Sequence, residues 1–312
     1  MIFTAKKNIL EKAIIPTSLG IASKNTDPIM EGIFLEAQEG ILTMCTYDLE
    51  KGIRTKIPIE MEEEGNIVVD AQKMIAIIHS LPDGDVTIKS EENYILKITA
   101  GESEFQIIGN DGRNFPNLPN IKGEITFTLP QKKLRKVINE TLFAVSNDDT
   151  RPVYTGSLFE IDGEKLSVVA LNGNRLAVGI QNGMTEDESL KLRFVIPGKA
   201  QSNLLRIIDD SEEPVTVEMA RKHIIFTFEN VYFITRLLDG DFLDYTKKIP
   251  AHMQTSVIIK RDRFVESIER AALIIDEKKK NSIKLTFSDG TLYVNCTTDM
   301  GKVDDVVGIE ME

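Results

Sequence analysis

Phe3-Thr4 and Phe127-Thr128 stand 124 residues apart, and the same interval carries a long stretch of the chain onto itself. It maps Leu10 onto Leu134, Ile14 onto Ile138, Gly32 and Glu36 of GIFLE onto Gly156 and Glu160 of GSLFE, and Leu42 onto Leu166. A third copy opens near Val257, with Phe264, Val265 and Ile268 as its helical apolar residues. It continues through IKLTFSDGTLYVN, which has the strand-turn-strand pattern of LFEIDGEKLSVVA. A repeat constrains the fold more than any motif, because every copy must fold alike and bury its apolar face on a neighbour.

Each copy reads as a strand, a helix and three more strands. In the second, Leu134, Val137, Ile138 and Leu142 recur at helical spacing. Short β-rich runs follow at 157–161, 165–170 and 174–180, broken by Asp162-Gly163 and Asn172-Gly173. A related unit lies between these copies: strand 66–69, then helix 71–81 with Met74, Ile75, Ile77, Ile78 and Leu81 apolar. After the turn Pro82-Asp83-Gly84 come strands 86–90, 94–99 and 104–108. Segments 193–196, 200–208, 215–219, 223–228 and 231–238 repeat that order. The chain therefore reads as five β-α-β-β-β units of about 55–60 residues. Paired, they predict one domain at 1–122, a second at 123–250 and an unpaired fifth unit at 251–312. A four-stranded sheet with one helix exposes too much apolar surface to stand alone. Units packed helix on helix under adjoining sheets resolve this, and the fifth should then lack half its domain. The ending VDDVVGIEME, a strand with no cap after it, fits a chain that is cut short or continues past Glu312.

Composition excludes several classes. No apolar run is long enough to span a membrane, and MIFTAKKNILEK has no secretory core or cleavage site. Cys45 and Cys296 are too few for a disulfide scaffold or a four-thiolate zinc site, and a reduced, cytoplasmic location is expected. They fall in corresponding strands of the first and fifth units, which reads as core packing.

The 37 Lys and Arg against 49 Asp and Glu give a net charge of −12, unfavourable on its face for nucleic acid, yet the charge is patterned. Gln131–Val137 carries Lys132, Lys133, Arg135 and Lys136 without an acid, and the first helix and its flanks carry Lys6, Lys7, Lys12 and Lys24. The fifth unit carries Lys260, Arg261, Arg263, Arg270 and Lys278-Lys279-Lys280. Acid concentrates in EMEEE at 60–64, DDSEE at 209–213 and Asp83–Asp85. One such helix reads as a solvated face. Three at the same stage of a repeat suit a phosphate-facing surface on an acidic protein. With no Trp and 6% aromatic residues, a base-stacking platform is poorly supported. Lys-rich faces without base readers suit sequence-neutral contact with duplex backbone.

Catalytic chemistry is not indicated. His79, His223 and His252 have no partner at metal-ligand or triad spacing, and no phosphate-loop, nucleophile-elbow or zinc-protease motif occurs. Asp239-Gly240-Asp241 and Asp299 read as turn formers. No cofactor and no metal are expected.

At this point the motifs point to a family. FTAKKNILEKA, DP before IMEGIFLEA, TYDLEKGIRTKIP, RNFPNLP, DTRPV, LNGNRLAV, VIPGKA, RLLDGDFLDYTKKIP and RAALIIDEK together resemble the bacterial DNA polymerase III beta subunit, the sliding clamp, along the whole chain. The resemblance implies an α+β DNA-clamp fold: helices line a ring and antiparallel sheets form its outside. It implies a non-catalytic processivity factor of the DNA-directed DNA polymerase in DNA replication. That factor would be a head-to-tail homodimer encircling double-stranded DNA without sequence specificity. Its partners would be the polymerase III alpha subunit, the clamp loader and other proteins, held through short peptide motifs, with no membrane partner. Family members continue for another half-domain ending in an apolar tail, so this sequence reads as stopping inside the third domain without that wall of the peptide pocket.

The resemblance also assigns sites. The DNA-facing set is Lys12, Lys24, Lys132, Lys136, Arg151, Lys199 and Arg206. The peptide pocket is Tyr154, Leu171, Gly173, Asn174, Arg175, Leu176, Leu243 and Lys247. The chain departs from the family with Asn174 for a common His, Leu243 for a common Pro, and Lys248 at a usually apolar site. Asn172-Gly173 would equally serve as a hairpin turn. The dimer interface is Lys73, Phe105, Ile107, Leu273 and Ile274, with the strand near 302–309 pairing across it. Phe105 and Ile107 read equally well as ordinary core. The rival reading is an acidic scaffold that binds proteins through its NGNR loop without encircling DNA.

Overall fold

The computed structural model describes residues 1–22, 27–119, 121–185, 187–252, 255–276, 279, 281–288 and 290–311. They form two compact units, Met1–Phe242 and Leu243–Glu312. Five α-helices occur among the described residues: α1 (Lys7–Ser18), α2 (Ala71–Ser80), α3 (Gln131–Thr141), α4 (Gly198–Ile207) and α5 (Arg261–Ala272). Each follows a strand and precedes three, so the β-α-β-β-β order expected from the repeat is present at every copy.

The helix starts show how the units lock. Asp70 caps α2, its Oδ1 accepting from the Lys73 N–H at 2.8 Å. At α3 no side chain caps. The Gln131 and Lys132 N–H groups instead donate to the Glu213 and Ser211 carbonyls at 3.1 and 2.9 Å. The loop after α4 thus closes the start of α3. The loop after α2 does the same for α1, where the Lys7 N–H donates to the Gly84 carbonyl at 2.9 Å.

Helix packs on helix within each pair, α1 on α2 and α3 on α4. Beneath the first pair lies a core of Phe3, Leu10, Ile14, Ile33, Leu35, Met74 and Ile78. Beneath the second lie Leu134, Val137, Ile138, Phe159, Leu204, Phe226 and Phe233. The two cores are separate, but the sheets over them are joined. Strand Val231–Arg236 pairs antiparallel with Lys51–Pro58, with Val231 opposite Thr55 and Thr235 opposite Lys51. This makes one 13-stranded sheet among the described residues. Leu19 and Ile53, from the first copy, are buried in the second core. The same repeat interval carries Leu19 onto Phe143, which is 60% exposed. Two described strands lie outside the five units: Glu310–Met311, which pairs with Val257–Ile258, and Glu60–Glu63, which pairs with Ile2–Lys6 and forms a charged edge, the kind that resists further strand addition.

The second unit holds α5 against a three-stranded sheet of Lys284–Ser288, Thr291–Thr298 and Gly301–Gly308. Its core is small, with Ala271, Leu292, Val294, Cys296, Val307 and Ile309 buried. Leu285 and Phe287, opposite Val294 and Leu292 in the sheet, remain 37% and 43% exposed. A single unit does hide its apolar face poorly, as the repeat arithmetic requires.

Gly179 lies where strand Leu176–Gln181 crosses α3. A Cβ there would stand 2.8 Å from Val137 Cγ2 and 3.1 Å from Thr141 Cγ2. Gly179→Val is expected to destabilise the first unit by ~1–3 kcal/mol through overpacking. Urea unfolding checks this, and an unchanged midpoint would contradict such close helix–sheet contact.

Candidate nucleic-acid and peptide interfaces

The exposed faces of α1, α3 and α4 carry Lys12, Lys132, Lys136, Lys199 and Arg206. The helical period puts Lys132 and Lys136 on one side of α3, opposite Leu134, Val137 and Ile138. Lys12, Lys199 and Arg206 have no carboxylate partner among the described residues. Lys132 lies 3.3 Å from Glu212, and Lys136 lies 3.9 Å from Glu140. These pairs are more than half exposed at the lysine and hold it weakly. Arg151 stands on the exposed loop before 152–155 rather than on a helix. Lys24 lies outside the described residues.

The charge pattern needs correction in two places. Acid is not kept away from the basic helices. Lys6 pairs with Asp85 at 2.7 Å, Lys7 reaches Asp83 at 3.6 Å, and Lys132 meets Glu212, so acidic loops neutralise the helix starts they close. The QKKLRKV run is also only half available. Lys133 Nζ donates to the Asn182 and Gly183 carbonyls at 2.8 and 2.9 Å, and Arg135 donates to the Leu205 and Ile208 carbonyls. In the fifth unit, Arg261, Arg263, Arg270 and Lys279 are each paired with a local acid: Asp262, Glu266, Asp305 and Asp299. Lys278 and Lys280 lie outside the described residues.

The NGNR segment is a hairpin loop between Lys165–Leu171 and Leu176–Gln181, so Asn174 belongs to the turn and not to the following strand. Asn172 Oδ1 accepts from the Asn174 and Arg175 N–H groups at 3.2 and 3.0 Å, and Gly173 takes φ +87°. That conformation favours glycine, and no atom crowds its open side. The turn projects Arg175, whose guanidinium lies 5.8 Å from the exposed Phe143 ring. Leu171 is buried at the strand end, while Leu176, Val178 and Ile180 are exposed along the edge strand. Tyr154, half-buried in the 152–155 turn, packs edge-on against Phe242 at 5.4 Å. Phe143, Val178 and Ile180 extend this surface beyond the residues that the motifs identify; the alternation in LAVGI signals Val178 and Ile180, and nothing local signals Phe143. Leu243 and Lys247 belong to the second unit, where Lys247 pairs with Asp244 at 2.9 Å and Lys248 ends the same short turn.

Two open stretches of strand edge bear on the expected dimer interface. Ser103–Asp111 pairs with Ile95–Ala100 along its first part, and only Gly109–Asp111 meets the strand on the other side. Phe105 and Ile107 project from that open stretch, half-buried against the first core. Lys73 is exposed in the first turn of α2. In the second unit, Gly301–Gly308 pairs on one side only. Leu273 is 82% exposed, whereas Ile274 packs on that unit's own core, so the two neighbours play different roles.

No group of three His, Cys, Asp or Glu residues gathers in metal-binding geometry among the described residues, and none of their helices is long and apolar enough to cross a membrane. Burial pushes the Cys45 thiol up to about 12, which removes its nucleophilic form at neutral pH. Burial, helped by Arg236 and Lys222, lowers the pKa of His223. His79 contacts Glu11 at 3.1 Å.

Repeated β-α-β-β-β units, paired helix on helix beneath a shared antiparallel sheet, define a DNA-clamp fold. Family models for the N-terminal and central domains of the DNA polymerase III beta subunit match residues 1–119 and 128–244. The beta sliding clamp of Halalkalibacterium halodurans is 32% identical, over 99% of this chain and 84% of that protein. That of Bacillus subtilis is 32% identical over 92% and 78%. Among solved structures, the B. subtilis clamp superposes with a TM-score of 0.93 at 30% identity, and the Pseudomonas aeruginosa beta subunit with 0.91 at 27%. Each is covered over 85% of its length by the whole of this chain. The chain belongs to the DNA polymerase III beta subunit family, the bacterial sliding clamps. It is accordingly a non-catalytic processivity factor of DNA replication.

Hydrogen bonds from Thr246 and Lys247 hold the Asp244 carboxyl down at about 2. A depressed carboxylate stabilises the turn above its ordinary value near ~3.9, and the contribution fades as pH falls through the folded value. The Asp244 carboxyl is therefore expected to stay largely ionised down to about pH 3. An NMR titration of the Asp244 carboxyl carbon checks this; an inflection near pH 4 would contradict it.

Proposed function

We propose that this chain acts as a head-to-tail homodimeric ring on double-stranded DNA, in the cytoplasm, with three domains per subunit bounded near 122 and 250. The observation that carries the DNA reading is the set of acid-free bases on exposed helix faces: Lys12, Lys199 and Arg206, with Lys132 and Lys136 beside them. Helix faces with few lysines and no base-reading groups give weak, sequence-neutral, salt-sensitive phosphate contact. That suits a protein held by linkage, since tight binding would stop it sliding. Topological retention then supplies what affinity does not. Tethering a polymerase to the ring raises its effective concentration at the primer end without chemistry.

The peptide-binding reading centres on Tyr154, Leu171 and the turn Gly173–Leu176. An arginine beside exposed apolar side chains on an edge strand suits a short amphipathic peptide. Polymerase III alpha subunit, clamp loader and repair proteins are the partners the resemblance implies. It alone assigns Leu243 and Lys247, in the second unit, to the same site. For the dimer, the open edges of Ser103–Ile108 and Gly301–Gly308 offer complementary strand ladders between two copies, with Leu273 as the free apolar contact.

Loaded on nicked circular DNA, the protein should be retained through gel filtration and lost once the circle is linearised. Equal loss from both forms would sink the topological mechanism. In sedimentation, Leu273→Ala should shift the dimer toward monomer without lowering thermal stability. Ile274→Ala should lower stability as well, by ~2 kcal/mol or more if its packing is largely lost. An unchanged dimer in Leu273→Ala would refute the interface.

A further inference from the structure

The repeat interval that maps α1 onto α3 carries Lys7 onto Gln131 and Glu11 onto Arg135. In both domains this i, i+4 pair reaches from the first helix to the C-terminal end of the second, with different chemistry. In the first, Lys7 lies 3.6 Å from Asp83 and Glu11 lies 3.1 Å from His79, in the last turn of α2. In the second, the contacts go to the backbone. Gln131, buried, accepts from the Asp209 N–H at 3.0 Å, and Arg135 Nη1 donates to the Leu205 and Ile208 carbonyls at 2.5 and 2.8 Å. The Leu205 carbonyl lies in the last turn and that of Ile208 at the C-cap, where a helix has no internal donors left to satisfy them. A cation there also meets the negative end of the helix dipole.

The QKKLRKV run groups Arg135 with the phosphate-facing bases, but its guanidinium is half-buried and committed to α4. We propose that Gln131 and Arg135 are positioning residues: a two-pronged latch that fixes the end of α4 on α3, and so holds Arg206 and Lys199 in register with Lys132 and Lys136. This rests on the DNA-facing reading of those four bases. The latch acts through α4 and does not touch phosphate itself. Helices whose bases face a shared ligand must keep a fixed spacing. The latch adds to what already holds this end: Ile208 is buried in the second core, and the loop beyond it bonds to the start of α3 through the Ser211 and Glu213 carbonyls.

The experiment compares Arg135→Met, Gln131→Met and Lys136→Ala in the full chain, by amide exchange and by binding of a fluorescent duplex across a salt series. Losing the latch should speed exchange of the 208 and 209 amides roughly tenfold and weaken duplex binding by roughly two- to tenfold. The salt slope should stay unchanged, because no phosphate contact is removed. Lys136→Ala should instead lower the slope by ~0.9 and leave exchange at 208–209 alone. Gln131→Met removes no charge, so a fall in affinity there can only be positional, and it keeps the test open if Arg135→Met does not fold. A slope loss in Arg135→Met equal to that of Lys136→Ala would make Arg135 a phosphate contact and overturn the proposal. So would unchanged exchange at the end of α4. If exchange rises while none of the three variants alters duplex binding, the DNA-facing reading itself fails, and the functional role of the latch with it.

Discussion

A four-stranded antiparallel sheet with one helix on it cannot hide its own apolar face, and the rest of this protein follows from that. Phe3, Leu10 and Ile33 reach zero or near-zero exposure only because α2 and its strands cover what α1 leaves open. The same pairing encloses Leu134, Phe159 and Phe226 in the second core. The pairing also decides where charge can go. With sheets on one side and helices packed together on the other, the outward stripe of each helix is the surface left for lysine.

Not every base in that stripe serves the surface. Backbone carbonyls at the end of α4 and in the 182–183 turn take Arg135 and Lys133, and the acidic loop that closes α1 takes Lys6 and Lys7. What remains is modest positive charge on a protein of net −12. The balance suits contact that must be strong enough to guide and too weak to hold.

The repeat makes the architecture legible in the amino-acid sequence, because a unit copied five times carries its own register. Helix 71–81, the strand at 223–228 and the Asn172-Gly173 turn are readable from apolar spacing and glycine alone. The latch is not, since nothing local distinguishes Arg135 from Lys136; only a helix ending 70 residues later does. Nor does sequence separate Leu273 from Ile274, two adjacent apolar residues of which one caps a core and one faces solvent. Glu60–Glu63 is similarly opaque: a short run of acids around one methionine does not resemble a strand until Ile2–Lys6 lies beside it. Helix existence is written in period, whereas the uses of a charged side chain are written in contacts between distant segments.

The ladder between Val231–Thr235 and Lys51–Thr55 has a mechanical consequence. Its hydrogen bonds run across the strands, so a force directed along them loads the bonds together and cannot peel them one at a time. A seam of this kind is stiff in shear and takes its strength from main chain. A pull transmitted from a moving polymerase would pass from one sheet to the next as if they were a single sheet.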